Sequence, residues 1–226
     1  ITNGKIVLRL ARIELQAAIH SAIEAAQPLL DASSQMLQID MPVEPVWLQA
    51  DPARISQVAH NLLTNASKYS PQGSRVAVGV HRAGAEAVVT VADQGEGIPQ
   101  DMLAHIFDMF TQVDRTLDRA QGGLGIGLAL VKRLVEMHGG AVSASSAGLG
   151  AGSTFTLRLP TLDGAHGLDS PVEASAVAAS AAGTRLRVLV VDDNVDAAES
   201  LAEVMALDGH DTPGGRLRPR GAGDGA

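Results

Sequence analysis

Two glycine-punctuated turns, each tied to a regular element, constrain this chain more than anything else in it. Asp93-Gln94-Gly95-Glu96-Gly97-Ile98-Pro99 follows an alternating apolar stretch containing Val89 and Val91, so it closes a β-strand with a carboxylate at its end. Gly122-Gly123-Leu124-Gly125-Ile126-Gly127-Leu128 runs into an apolar stretch with helical spacing, so it opens a helix. Gly95 and Gly97 let the backbone approach a ligand and adopt positive φ. The unpaired N–H groups and the dipole of a helix N-terminus attract phosphate. A strand end that presents a carboxylate and a helix start that presents amides are parts suited to a nucleotide.

A third segment adds side chains. Asp51-Pro52 opens a helix, with Asp as N-cap acceptor and Pro in the first helical position. Wound at about 100° per residue over 52–70, this helix puts Ile55, Val58, Ala59, Leu62, Leu63 and Ala66 on one face. Asn61, Asn65 and Lys68 fall together on another. One side packs on a sheet, and the other presents two amides and an ammonium. Mg²⁺ takes hard oxygen ligands and keeps several waters, so one or two side-chain oxygens plus phosphates suffice to hold it.

In order, Asn61-Leu62-Leu63-Thr64-Asn65-Ala66-Ser67-Lys68-Tyr69, the Asp93 turn, Ile106-Phe107-Asp108-Met109-Phe110 and the Gly122–Leu128 turn resemble the ATP-binding catalytic domain of sensor histidine kinases. That fold is shared with gyrase, mismatch-repair and heat-shock chaperone ATPases, and the resemblance covers roughly residues 1–160. It implies ATP and Mg²⁺ as cofactors. It assigns Asn65 and Asn61 to Mg²⁺, and Lys68 and Tyr69 to the phosphates. Asp93 would read the adenine amino group, with Gly95, Gly97, Gly123, Gly125, Gly127 and Leu128 lining the nucleotide. Residues 111–122 would be the lid over ATP, with Arg115 and Arg119 facing the γ-phosphate and Phe107 and Phe110 either anchoring its base or serving as plain core residues. Gly148-x-Gly150-x-Gly152-Ser153-Thr154-Phe155 matches the family's last glycine turn and is read as structural.

The related hydrolases carry Glu where this chain has Asn61, and Asn cannot take a proton from water near neutral pH. Hydrolysis as the main activity is therefore disfavoured. A histidine kinase needs no such base, because the acceptor imidazole attacks the γ-phosphate while the enzyme positions groups and neutralises charge. The seven histidines do not show the family's acceptor pattern of His followed by an acid, apart from His210-Asp211 near the tail. The expected partners are accordingly a histidine-bearing dimerisation domain of the same parent protein and a response-regulator receiver. The alternative is a non-catalytic ATP-sensing module of the same fold.

Strands are expected at 5–10, 35–41, 46–50, 74–81 and 86–92, with a final hairpin over 140–159. Helices are expected at 14–30, 52–70 and 124–138, the last capped by Gly139-Gly140. Several strands and about three helices imply an α+β, two-layer α/β sandwich of the Bergerat type over 1–160. Aromatic residues make up only 2% of the chain, so Leu, Val, Ile and Ala must build the core. A net charge of −8 argues against a nucleic-acid backbone as partner. No apolar run approaches the ~20 residues of a membrane helix. No signal peptide is visible, and the absence of Cys suits the cytoplasm.

Residues 161–184, rich in Ala, Ser, Gly, Asp and Pro, read as a linker. Leu186-Arg187-Val188-Leu189-Val190-Val191-Asp192-Asp193 reads as a buried strand ending in two acids, followed by a helix over about 195–208. Residues 185–211 resemble the start of a receiver domain, as in hybrid kinases, with Asp192 and Asp193 as its Mg²⁺ pair. A whole receiver is longer than this piece, so no phosphotransfer is expected on it. The Gly/Pro/Arg-rich tail at 212–226 reads as disordered and as the mark of a truncation or a shifted frame.

Overall fold

The computed structural model describes residues 7–111, 125–162, 186–190, 201–202, 204–206 and 209–212. They fall in two units, divided between Ser175 and Ala176, with the described residues from 186 onward in the second.

The first unit begins with β1 (Ala11–Glu14), α1 (Leu15–Ala32), β2 (Met36–Asp40), β3 (Trp47–Ala50) and α2 (Pro52–Lys68). It continues through β4 (Arg75–Ala83), β5 (Glu86–Asp93), α3 (Gly127–Met137), β6 (Ala141–Ser145) and β7 (Thr154–Pro160). Five strands form one sheet in the order β2-β4-β5-β7-β6. β2 pairs parallel with β4, and the other three pairings are antiparallel. Register fixes which face is apolar. Val78 lies opposite Val91 and Val80 opposite Val89; Val91 in turn meets Phe155, and Val89 meets Leu157. All six are buried. Against this face lie the apolar stripes of the helices, Leu62 and Leu63 from α2, Leu130 and Leu134 from α3. The result is the expected α+β two-layer sandwich. Burying each of these large side chains contributes on the order of 1.5–3 kcal/mol.

The strand expected at 5–10 lies later in the chain. β1 pairs antiparallel with β3 from Ala11 opposite Ala50 to Glu14 opposite Trp47, in a separate two-stranded sheet. Val7 and Leu10 are exposed. An alternating apolar run becomes a strand only beside a backbone with free donors and acceptors, and β3 offers just four residues. The Arg12 guanidinium lies 4.5 Å from the centre of the Trp47 ring and fastens the pair. The other boundaries differ by small amounts: α2 stops at Lys68 rather than 70, and α3 starts at Gly127 rather than 124.

α2 is capped as expected: the Asp51 carboxylate accepts from the amides of Ala53 and Arg54 at 3.1 and 3.3 Å. It also accepts from Arg9 N at 2.9 Å, and Asp51 N donates to His138 Nε2 at 3.1 Å. His138 Nδ1 in turn bonds the Leu134 carbonyl at 2.7 Å. Asp51 thus joins the segment before β1, the start of α2 and the end of α3. Among the described residues no helix is long and apolar enough to cross a membrane.

In the second unit, the expected buried strand at 186–193 is not what the described part of it shows. Leu186 and Leu189 are 54% and 66% exposed, and the pairing is a single parallel bridge between Arg187 and Asp211. Among the described residues these five make one bridge only, which leaves both leucines facing solvent. Residues 201–202 and 204–206 are helical, within the helix expected there. Asp192, Asp193 and the tail beyond Thr212 lie outside the described residues.

Candidate functional site

Asp93 is the last residue of β5, and its carboxylate is held from several sides. Oδ1 accepts from Gly95 N at 2.8 Å and Ser153 N at 3.2 Å, and Oδ2 accepts from Ser153 Oγ. Two glycine turns interlock around it. Gly152 N donates to Gly95 O at 3.1 Å, Gly150 N to Glu96 O at 2.6 Å, and Asp93 N to Ser153 O at 2.9 Å. Ser146 Oγ donates to Gly152 O at 2.7 Å and accepts from Ile98 N at 3.0 Å. Gly97 has φ of +72°, and a Cβ there would collide with the Gly148 carbonyl oxygen. The expectation of positive φ at Gly95 does not hold. Its glycine is required by crowding, since a Cβ would strike the Tyr69 carbonyl oxygen. The 148–155 turn does more than brace the fold: through Ser153 it orients the Asp93 carboxylate. The motif was visible in sequence, but the serine's partner lies 60 residues away and emerges only when β5 pairs with β7.

Beside this turn lies the polar side of α2. Asn61 and Asn65 are half-buried, and Lys68 and Tyr69 are exposed. Glu96 N donates to Tyr69 O at 3.0 Å, so the end of α2 and the Asp93 turn are one assembly. Lys68 Nζ sits 5.2 Å from the centre of the Tyr69 ring. Burial holds the Lys68 ammonium below its usual pKa. The Tyr69 hydroxyl is pushed up, first by burial and then by the Glu96 charge.

The third wall is the start of α3, which packs against α2. Gly127 is its first residue and has open space where a Cβ would stand. Gly125 has φ of +70° and accepts from Phe110 N at 3.1 Å, which ties together the residues flanking 112–124. Leu128 follows, half-buried. Phe107 meets Phe155 edge-on at 6.3 Å, as an anchor on the core should. Phe110 does not share that role: it is 59% exposed, with φ of +63°. Arg115, Arg119 and Gly123 lie outside the described residues.

Three observations bear on whether these residues suit a magnesium nucleotide. Asn61 Nδ2 is buried and has no hydrogen-bond partner among the described residues. Gly95 and Gly97 let the Asp93 turn pack directly on the Tyr69 and Gly148 carbonyls, which fixes the carboxylate at the turn's start. Asn61 and Asn65 carry amide oxygens, ligands a hard cation can combine with a nucleotide's own phosphates, and among the described residues no group of three or more His, Cys, Asp or Glu side chains converges. The residues fit the group. The turns border a depression of ≈ 330 Å³ lined by Asp93, Ser145, Ser146, Gly152 and Ser153. A smaller one of ≈ 150 Å³, at the opposite end of the sheet near Trp47 and His81, contains none of these groups.

Known proteins share this sequence pattern and fold. The family model for histidine kinase-, DNA gyrase B-, and HSP90-like ATPases matches residues 50–163. The circadian input-output histidine kinase CikA of Synechococcus elongatus is 47% identical over 113 residues, which are 50% of this chain and 15% of that protein. The adaptive-response sensory kinase SasA of a Synechococcus strain is 38% identical over 156 residues, 68% of this chain and 41% of that protein. The chain thus spans less than half the length of these curated relatives. Among solved structures, the mycobacterial sensor histidine kinase MprB aligns with a TM-score of 0.60 at 27% identity, covering 67% of this chain and 98% of that one.

Proposed function

The chain belongs to the family of histidine kinase-, DNA gyrase B-, and HSP90-like ATPases, and we propose that its first unit binds Mg-ATP and serves as the catalytic domain of a sensor histidine kinase. The observation that carries this reading is the Asp93 carboxylate, fixed between two interlocked glycine turns and joined through Tyr69 O to the amide-bearing end of α2. Asp93 accepts a hydrogen bond from the adenine amino group. The crowded Gly95 and Gly97 keep the turn's backbone close to the base. Asn65 and Asn61 offer amide oxygens to Mg²⁺, with Lys68 and Tyr69 toward the phosphates. The amides at Gly125, Gly127 and Leu128 meet phosphate oxygens at the start of α3. Bound Mg-ATP supplies the phosphoryl group and the cation that offsets its charge.

Asn at position 61 leaves water without a base there. That favours transfer to a nucleophile brought by a partner, a histidine on a dimerisation domain. The acidic pair Asp192 and Asp193 supports a hybrid-kinase parent, as the Mg²⁺ pair of a truncated receiver start that is not functional in this piece. The test has two stages. Calorimetric titration with Mg-ATP should give saturable binding. Labelled ATP, supplied with the histidine-bearing domain of the parent protein, should then label that histidine. Binding without labelling would leave an ATP-sensing module and rule out the kinase reading.

A further inference from the structure

A buried glutamine that no nucleotide motif contains holds together the end of α2. Gln35, in the turn between α1 and β2, is 7% exposed. Its Nε2 shares two N–H donors among Ser67 O at 3.0 Å, Ser70 O at 3.3 Å and Pro71 O at 3.3 Å. Its Oε1 accepts from Ser67 Oγ at 2.6 Å, and Ser67 is itself 3% exposed. Its backbone N–H donates to Leu30 O at 2.9 Å and so closes the end of α1. One residue therefore fixes where two helices end.

The last carbonyls of a helix have no partner within it and must find one elsewhere. That of Ser67, which also takes Ser70 N at 3.4 Å, and those of Ser70 and Pro71 just past the helix find Gln35, with Pro71 O accepting from Ser74 Oγ at 2.7 Å as well, while that of Tyr69, between them, takes Glu96 N from the Asp93 turn. Lys68 and Tyr69 project from the same few residues. Their direction, and the seat of the Asp93 turn on the Tyr69 carbonyl, depend on a stretch of backbone that Gln35 holds from behind.

We propose that Gln35 is a positioning residue for nucleotide binding: by holding the carbonyls of Ser67, Ser70 and Pro71 it aims Lys68 at the phosphates. This deepens the Mg-ATP reading of the same site and rests on it. Gln35 touches no ligand itself. It is invisible to motif reading because it lies 32 residues before Ser67, and only the packing of α1 on α2 brings them together.

The test is a double-mutant cycle on the whole chain, with Gln35→Met (similar length, no donor or acceptor of the amide kind) and Lys68→Ala, read as Mg-ATP affinity at a temperature where all four proteins are folded. On the Lys68 background, Gln35→Met should weaken binding about five- to tenfold, the worth of one lost hydrogen bond or slightly more. On the Lys68→Ala background it should change affinity less than about twofold, because the group it aims is gone. Equal losses on both backgrounds, or none on either, would overturn the role while leaving the nucleotide reading intact. No binding by the wild-type chain would overturn both. Should Gln35→Met fail to fold, Gln35→Glu answers the same question. It keeps the acceptor for Ser67 Oγ but can donate to a carbonyl only when protonated. Its affinity relative to wild type should rise as pH is lowered, and a ratio independent of pH would overturn the role.

Discussion

At the scale of single residues, Asp93 carries the sharpest expectation. Its carboxylate has three donors from the protein and one further lone-pair direction to offer a base. Asp93→Asn keeps the shape and removes the charge. A charge-assisted hydrogen bond contributes about 1.5–3 kcal/mol, so Mg-ATP affinity should fall roughly 10- to 150-fold in a variant that still folds. Unchanged affinity by calorimetry would place base recognition elsewhere. Gly97 gives a contrasting prediction about folding. Gly97→Ala forces a Cβ against the Gly148 carbonyl at a positive φ, so it should destabilise the unit by at least about 1 kcal/mol. Gly127→Ala, with open space and an ordinary helical φ, should be neutral or slightly stabilising when compared by denaturant midpoint. The motif supplied all three residues, but only the contacts distinguish a glycine required by strain from one that is merely part of a pattern.

At the scale of elements, α2 is the piece whose two ends do different work. Its polar face and C-terminus present Asn61, Asn65 and Lys68, and its N-terminus hangs on Asp51. Asp51→Ala should cost about 1–2 kcal/mol from the lost cap, seen as a lower denaturant midpoint at unchanged slope. Burial alone would raise the Asp51 carboxyl pKa. The amide donors of Arg9, Arg54 and Ala53, with the Arg54 charge, outweigh it and hold the pKa below the usual carboxylate value. The folded carboxyl therefore binds fewer protons than the unfolded one, so its contribution is complete above about pH 4 and is lost as pH falls through the folded value. Stability measured against pH should show a smaller loss below about pH 4 in Asp51→Asn than in the wild type. The cap was legible in Asp51-Pro52. Its two other partners were not, since Arg9 lies 42 residues away and His138 lies 87. The strand expected at 5–10 failed for a related reason: a period of two records the wish for a partner, and the partner is a property of the fold.

At the scale of the molecule, two units divide the chain, and all the candidate nucleotide groups that are described belong to the first. The chain cut after Ser175 should therefore retain the Mg-ATP affinity of the whole chain within about twofold. A larger loss, with the shortened protein folded, would mean that the second unit contributes to the site. What the sequence alone determined was the class of the fold and the chemistry on offer. Periods of two and 3.6 fix which faces are apolar, and glycine, asparagine and aspartate at set spacings fix which backbone and side-chain groups a ligand can meet. What only the tertiary structure decided was which groups act together. Ser153 on Asp93, Gln35 on the end of α2, and Asp51 between α2 and α3 are contacts over long sequence distances. Each side chain there satisfies buried polar groups whose partners exist only once the sheet and helices have packed.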